Sequence, residues 1–244
     1  MNANEVVMRR QDLFPVVGVA LLVAALFAAP AATQSQEPPK IKIPDAGVPQ
    51  IMTLEGRYVR AAYNNEAYAI LGYRAANLSV GEEWMLLDVG LALREKTPDY
   101  TLKRDAVSLT TPDGKTLPLP TIPEYRQANV QALQARAGVQ RDSINYFPPN
   151  AHQACSIQFF TDLDQRARAW DQVELTNQRA CVGRFYFKVP GGITYGQHWL
   201  NVKFQNSLVR VPFRILTDEE EKFFSKNYKS IEKQVKEAFQ PKKK

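Results

Sequence analysis

The chain has 244 residues, of which 45% are hydrophobic and 23% charged, and it carries a formal net charge of +6. This length suffices for one well-buried domain, and the positive charge concerns partners rather than fold. With only two histidines and four methionines, the composition excludes the clustered soft ligands that copper and zinc carriers need. We therefore expect no metal and no other cofactor.

The first 32 residues have the layout of a secretory signal peptide. A basic pair, Arg9 and Arg10, precedes an uncharged apolar stretch, and Ala29-Pro30-Ala31 fits a cleavage site of small residues. The alternative is that the stretch is kept as a membrane anchor, since about 20 apolar residues can span a bilayer. Because no cysteine lies near this region, a lipid-anchored lipoprotein is not expected. The sequence predicts a periplasmic or secreted protein.

A proline-rich extended linker is predicted for residues 33–51. It precedes one domain, residues 52–216, whose apolar residues mostly recur with a period of two, as in half-buried strands. In the clearest run, EWMLLDVGLALRE, every second residue from Met85 to Leu93 is apolar, while the opposite face, which includes Asp88, is mixed. We expect the first face to lie in the core and the second to be partly covered or solvated.

Turn signals separate the other strands. Asn64-Asn65 divides GRYVRAAY from AYAILGYRA, and Asp113-Gly114 between two apolar alternations predicts a hairpin. The segments HWLNVKF and LVRVPFRIL continue the same alternation toward the end of the domain. Pro212 places the last of these strands at a sheet edge or at a bulge, because proline cannot donate to a ladder.

Two helices are predicted from capping boxes, in which a threonine stands three residues before a glutamate, at Thr121 and Thr217. The first helix is an insertion between strands and is expected to end at Gly138. The second, residues 217–240, is amphipathic and has acidic residues early and lysines late, which suits the helix dipole. A lysine-rich tail, residues 241–244, follows it.

Cys155 and Cys181 predict a single disulfide bond, because oxidising compartments favour pairing over free thiols. Each cysteine opens an alternating apolar run, so we expect both sulfur atoms to face the core. Closing a loop of this size contributes on the order of 3 kcal/mol in the chain-entropy model. Two buried, reduced thiols are the alternative.

Three segments together resemble a known class of domain: EEWMLLDVGLALRE, LKRDAVSLTTPDGKTLPL and GRFYFKVP. A long alternating strand, an Asp-Gly hairpin and an aromatic strand ending in Val-Pro are similar to bacterial extracytoplasmic immunoglobulin-like domains of unknown function, over residues 55–216. The resemblance implies a mostly β fold, an immunoglobulin-like antiparallel β-sandwich, here with a helical insertion and a C-terminal amphipathic helix. It implies an adhesive, scaffolding or ligand-presenting role, and it supplies no site residues.

The sequence offers no clear enzyme site. It lacks a G-x-S-x-G motif, and its cysteines are better explained by a disulfide. His198 falls on the apolar face of a strand, where a packed side chain is expected rather than a metal ligand. Asp162 and Asp164 are close together, but this spacing in a polar segment is typical of a loop or a helix cap. We therefore predict that the protein is not an enzyme and assign no catalytic, cofactor-binding or metal residue.

The strand ACVGRFYFKVPGG carries the main candidate contact surface. It lacks the order of glycine and aromatic residues that defines an RNA-recognition strand, so no nucleic-acid partner is expected. Alternation places Arg184, Tyr186 and Lys188 on its outer face, and Trp199 points outward from a later strand. Outward tryptophans suit stacking on a sugar, although burial beneath the C-terminal helix is favoured for Trp199.

These observations predict an exported, non-enzymatic interaction or accessory module of the bacterial cell envelope. Its partner is expected to be an unidentified protein or an anionic envelope component. Membrane contact is predicted through the C-terminal helix or through an uncleaved signal, although that helix is favoured to close its own domain. The alternatives are a glycan-binding module that uses exposed aromatic side chains and, last, an unrecognised hydrolase.

Overall fold

The computed structural model describes residues 50–161 and 168–239. The predicted signal peptide, nearly all of the predicted linker and the lysine-rich tail lie outside the described residues, as do Asp162 and Asp164. The described part is mostly β, as predicted. Its first eight strands are β1 (Ile51–Gly56), β2 (Val59–Tyr63), β3 (Ala67–Gly72), β4 (Trp84–Leu93), β5 (Tyr100–Lys103), β6 (Val107–Thr110), β7 (Thr116–Pro118) and β8 (Gln153–Ile157).

The remaining elements are four strands and four helices. The strands are β9 (Gln172–Leu175), β10 (Arg179–Lys188), β11 (Gly196–Lys203) and β12 (Leu208–Ile215). The helices are α1 (Arg74–Asn77), α2 (Ile122–Gln127), α3 (Gln131–Val139) and α4 (Asp218–Phe239), and a single 3-10 turn covers Arg104–Ala106.

The strands form two larger sheets and one small one. The six-stranded sheet has the order β1-β2-β3-β4-β10-β8, the four-stranded sheet has the order β12-β11-β6-β7, and β5 pairs with β9. All neighbours are antiparallel except β8 and β10, which run parallel. The prediction of an antiparallel fold is therefore wrong for this one pair, because the long connection after β8 returns the chain to the same end of the sheet.

The inner faces of the two larger sheets share one hydrophobic core. Leu87 and Val89 of β4 and Phe185 of β10 belong to the same buried cluster as Leu200 of β11 and Val211 of β12. These side chains are all fully buried, which confirms that the predicted apolar face of β4 lies in the core. β12 lies at the edge of its sheet, where Pro212 costs no ladder hydrogen bond.

The outer face of the six-stranded sheet is also covered, more completely than the alternation of apolar residues predicted. Leu86 and Ala92 lie on this face of β4 and are completely buried. The segment that follows α3 crosses here, and Gly90 makes room for it. A Cβ atom on Gly90 would lie 2.7 Å from Cζ of Phe147, so any other residue here would force the Phe147 ring to shift.

The predicted helical insertion consists of two helices. The capping box at Thr121 is present, with the Glu124 amide donating to the threonine Oγ1 over 3.3 Å and a Glu124 carboxylate oxygen accepting from the Thr121 amide over 2.7 Å. The chain then leaves helical geometry at Ala128 before α3 begins. Gly138, the predicted end, lies inside α3.

Helix α4 packs against β1 of its own chain, which is the arrangement the sequence favoured. Val235 is buried with Met52 and Leu54, and Phe224 and Ile231 pack partly buried against them. The helix thus covers the β1 end of the six-stranded sheet. Among residues 50–161 and 168–239, no helix combines the length and the apolar composition needed to cross a membrane.

Candidate functional site

The candidate site is a cleft of about 630 Å³ on the outer face of the six-stranded sheet. Its floor comes from β4, β8 and β10, and one wall is the extended segment that follows α3. We call it the outer-face cleft. Its lining residues are Asp88, Arg141, Asp142, Ser143, Ile144, Asn145, Ser156, Ile157, Gln158, Phe160, Val182, Gly183 and Arg184.

An ion pair lies in the floor of the outer-face cleft. Asp88 of β4 and Arg184 of β10 are direct neighbours in the antiparallel register, with Nε of the arginine 3.4 Å from Oδ1 of the aspartate. Their side chains are only 11% and 12% exposed. Burial raises the pKa of Asp88, while the positive charges of Arg184 and Arg141 oppose that rise. The pair therefore places two fixed, partly desolvated charges inside the cleft.

A second acidic side chain fastens the cleft wall. Asp142 accepts hydrogen bonds from the backbone N–H and from Nε of Arg74, over 2.9 and 3.0 Å. Its side chain is 3% exposed. Gly72 of β3 lets Asp142 lie this close to the strand, because a Cβ atom on residue 72 would lie 3.0 Å from Cβ of Asp142. Asp142 therefore positions the wall, and Arg141 beside it stays exposed at the cleft.

The predicted contact row on β10, formed by Arg184, Tyr186 and Lys188, is not a continuous exposed surface. Tyr186 is completely buried, with the rings of Tyr125 and Phe160 at centroid distances of 4.9 and 5.3 Å. The prediction that Tyr186 faces outward to solvent is wrong, because the α2 region covers this end of the sheet. Of its two neighbours in the row, Arg184 lies in the cleft and Lys188 is exposed beside Glu83.

The three tryptophans differ in their exposure. Trp199 is half-buried, and the Arg210 guanidinium lies 5.3 Å from its ring centroid. The prediction that α4 covers Trp199 is therefore wrong, since α4 packs on β1 instead. Trp84 packs against the core, whereas Trp170 is 53% exposed. The backbone N–H of Trp170 donates to the carbonyl of the cleft residue Gln158 over 2.7 Å.

The predicted disulfide between Cys155 and Cys181 is confirmed. The two cysteines are directly paired across β8 and β10, with their Cα atoms 4.1 Å apart. Cys181 is fully buried, but Cys155 is only half-buried because β8 is the edge strand. The next residues along these strands, Ser156 and Val182, line the cleft, so the disulfide fastens one side of the site.

The surroundings of the two histidines are not those of a metal site. His198 is completely buried and stacks on Phe213 at a centroid distance of 5.3 Å, which confirms that it is a packed residue. His152 is exposed and directly precedes β8. Within the described ranges, no three or more histidine, cysteine, aspartate or glutamate side chains form a group that could hold a metal ion.

Sequence reasoning did not single out Asp88, Arg141 or Gln158 as site residues. One signal was present for Asp88, since a carboxylate between apolar strand residues requires a partner when buried. The partner, Arg184, was among the predicted contact residues, but the register that joins the two was not visible. Compared with known proteins, the chain matches no family model, no curated protein and no solved structure.

Proposed function

We propose that the protein is an exported, non-enzymatic interaction or accessory module of the bacterial cell envelope that recognises its partner at the outer-face cleft. The supporting observation is the cleft itself, in which a fixed Asp88–Arg184 pair lies below a rim of exposed hydroxyl and amide side chains. An immunoglobulin-like β-sandwich that presents a ligand site is the fold-level part of this proposal.

The chemistry of the lining favours recognition. Ser143, Asn145, Ser156 and Gln158 are exposed and offer both donors and acceptors, while Phe160 adds an apolar surface. A few convergent polar groups beside an apolar surface are typical of a binding cleft. Because the charged groups of the floor are held by strand pairing, they are ordered before any ligand arrives, which lowers the entropy cost of binding.

The disulfide supports the exported part of the proposal. Stable disulfides form in oxidising compartments, and Cys155–Cys181 joins two adjacent strands of the main sheet. A periplasmic or secreted location agrees with the signal-peptide layout of residues 1–32. The proposed partner is a protein or an anionic envelope component, and nucleic acid is not among the proposed partners.

Site-specific photocrosslinking in intact cells tests the proposal. A photoreactive amino acid replaces Gln158 in the cleft, and the matched control replaces Gln205, an exposed glutamine in the turn between β11 and β12. We expect a discrete adduct in the envelope fraction from position 158 and none from position 205. Equal labelling at both positions, or no adduct at position 158, contradicts recognition at the cleft.

A glycan-binding module is the second candidate, and Trp170 is the observation that favours it. An exposed indole beside a cleft rich in amide and hydroxyl groups suits stacking on a sugar ring together with hydrogen bonds to its hydroxyls. Calorimetric titration with soluble envelope polysaccharides tests it. We expect binding that Trp170→Ala abolishes and Trp199→Ala preserves, whereas equal affinity in both variants contradicts a role for Trp170.

A further inference from the structure

The solvent side of α4 carries a row of lysines. Lys222, Lys226, Lys229 and Lys233 are all exposed and follow one another at intervals of four, three and four residues. This spacing places them on one side of the helix, opposite the side that buries Val235. We call these four residues the lysine face. At about 1.5 Å per residue, it extends over about 16 Å.

Three of the six acidic residues of α4, namely Glu220, Glu221 and Glu232, lie away from the lysine face. Glu220 pairs with Arg214 at 2.6 Å, and Glu221 accepts from the hydroxyl of Tyr58 over 2.6 Å. Burial, followed by the hydrogen bond to Glu221, raises the pKa of Tyr58 to about 12, so this hydroxyl stays a donor at neutral pH. Glu232 pairs with Lys236 at 3.3 Å beside the packed side of the helix. These three carboxylates are therefore engaged away from the lysine face.

The lysine face retains its positive charge toward solvent. Within the described residues, no carboxylate lies within 4.0 Å of Lys222, Lys226 or Lys229, and Lys233 reaches only Glu237, at 3.9 Å between exposed groups. Two exposed carboxylates, Asp218 and Glu219, lie at the N-terminal end of the row, and Asp218 borders the same surface depression as Lys222 and Lys226. Phe223 is 46% exposed on the flank of the row and adds an apolar group suited to a membrane interface.

We propose that the lysine face binds the anionic headgroup surface of a phospholipid bilayer. This goes beyond the proposed function, because it adds a second contact surface, on α4 and separate from the outer-face cleft, at which the exported protein meets a membrane. Each lysine close to an anionic bilayer strengthens binding about fivefold. Four lysines on one side of a helix that is anchored to a folded domain act together, because the domain holds them toward the same plane.

Vesicle co-sedimentation with the full chain tests this proposal. The vesicles contain phosphatidylcholine with phosphatidylglycerol in equal parts, or phosphatidylcholine alone. We expect the parent protein to sediment with the anionic vesicles and to be released by high salt. The fourfold variant K222Q/K226Q/K229Q/K233Q is expected to lose on the order of a hundredfold or more in partitioning.

A control variant separates the lysine face from net charge. The substitutions K96Q/K103Q/K115Q/K203Q remove the same number of exposed lysines outside α4 and are expected to change partitioning less than threefold, a small effect next to about fivefold per lysine at the face. Circular dichroism and thermal unfolding verify that both variants are folded.

Three results would overturn the proposal. The first is an equal loss of vesicle binding in the α4 variant and the control variant. The second is equal sedimentation of the parent protein with both kinds of vesicle. The third is tighter binding to a soluble acidic polysaccharide than to the bilayer. None of these results alters the crosslinking expected from Gln158, so a failure here is distinguishable from a failure of the proposed recognition at the outer-face cleft.

Discussion

Replacing His198 by phenylalanine is expected to reduce the loss of unfolding free energy that we predict on acidification. The imidazole is completely buried, its Nδ1 lies 3.1 Å from the carbonyl oxygen of Gly196, and its Nε2 has no hydrogen-bond partner among residues 50–161 and 168–239. Burial lowers the pKa of His198 from its ordinary 6.5 to about 4, and the hydrogen bond to Gly196 only partly opposes this. The neutral ring is therefore the native form.

The sign and size of the effect follow from the difference between the ordinary pKa of histidine and the lowered pKa of His198 in the folded chain. Between pH 6.5 and about pH 4 the unfolded chain binds a proton at His198 that the folded chain does not. The stability contributed by the neutral ring is complete above pH 6.5 and is lost as the pH falls toward 4. The difference in pKa corresponds to about 3 kcal/mol of unfolding free energy. Below pH 4 this residue adds no further loss.

Urea unfolding at a series of pH values between 7.5 and 4 measures the effect. Carboxylates titrate in the same range in every variant, so the difference between the parent and His198→Phe isolates this one residue. Phenylalanine keeps a ring against Phe213 and cannot be protonated. The exposed His152→Gln is the control and should follow the parent curve. Parallel curves for the parent and His198→Phe, with a change in difference below about 1 kcal/mol, would refute the reasoning.

Removal of the disulfide and a pair of glycine substitutions test the packing of the domain by urea unfolding. Removing the disulfide by replacing Cys155 and Cys181 with alanine is expected to lower the unfolding free energy by about 3 kcal/mol, and an unchanged value would contradict the role of the cross-link. Gly90→Ala is expected to cost about 1–3 kcal/mol, because the new methyl group meets Phe147. Gly138→Ala, in α3 with open space around it, should instead gain about 0.5–1 kcal/mol, and equal effects of the two substitutions would contradict the close approach.

Local signals in the sequence predicted the elements that local interactions build. The hairpin at Asp113-Gly114 is present, with Gly114 at a φ of 84°, which glycine adopts without a steric penalty. The capping box at Thr217 also forms, with the threonine Oγ1 accepting from the backbone N–H of Glu220 over 3.3 Å. These features depend on residues at most a few positions apart, so a short stretch of sequence contains both partners.

The direction of β8 and the covering of the outer face depend on distant segments. Alternation correctly divided β10 into two faces, but it could not show that the ring of Tyr125, from the helical insertion, lies against Tyr186. The interior glycine of β4 did carry a usable signal, because glycine within a strand marks a close approach of other atoms. It did not identify Phe147 as the group that approaches Gly90.

The cleft combines both kinds of information, and Asp88 shows how. A carboxylate is costly to bury alone, so Asp88 requires a cationic partner once its face of β4 is covered. The chain has many basic residues, and only the pairing of β4 with β10 selects Arg184 among them. The disulfide at Cys181 also joins β10 to β8, so the three strands of the cleft floor are held together. The local sequence thus marks the buried charge, whereas the strand order determines which group satisfies it and where a ligand would meet the pair.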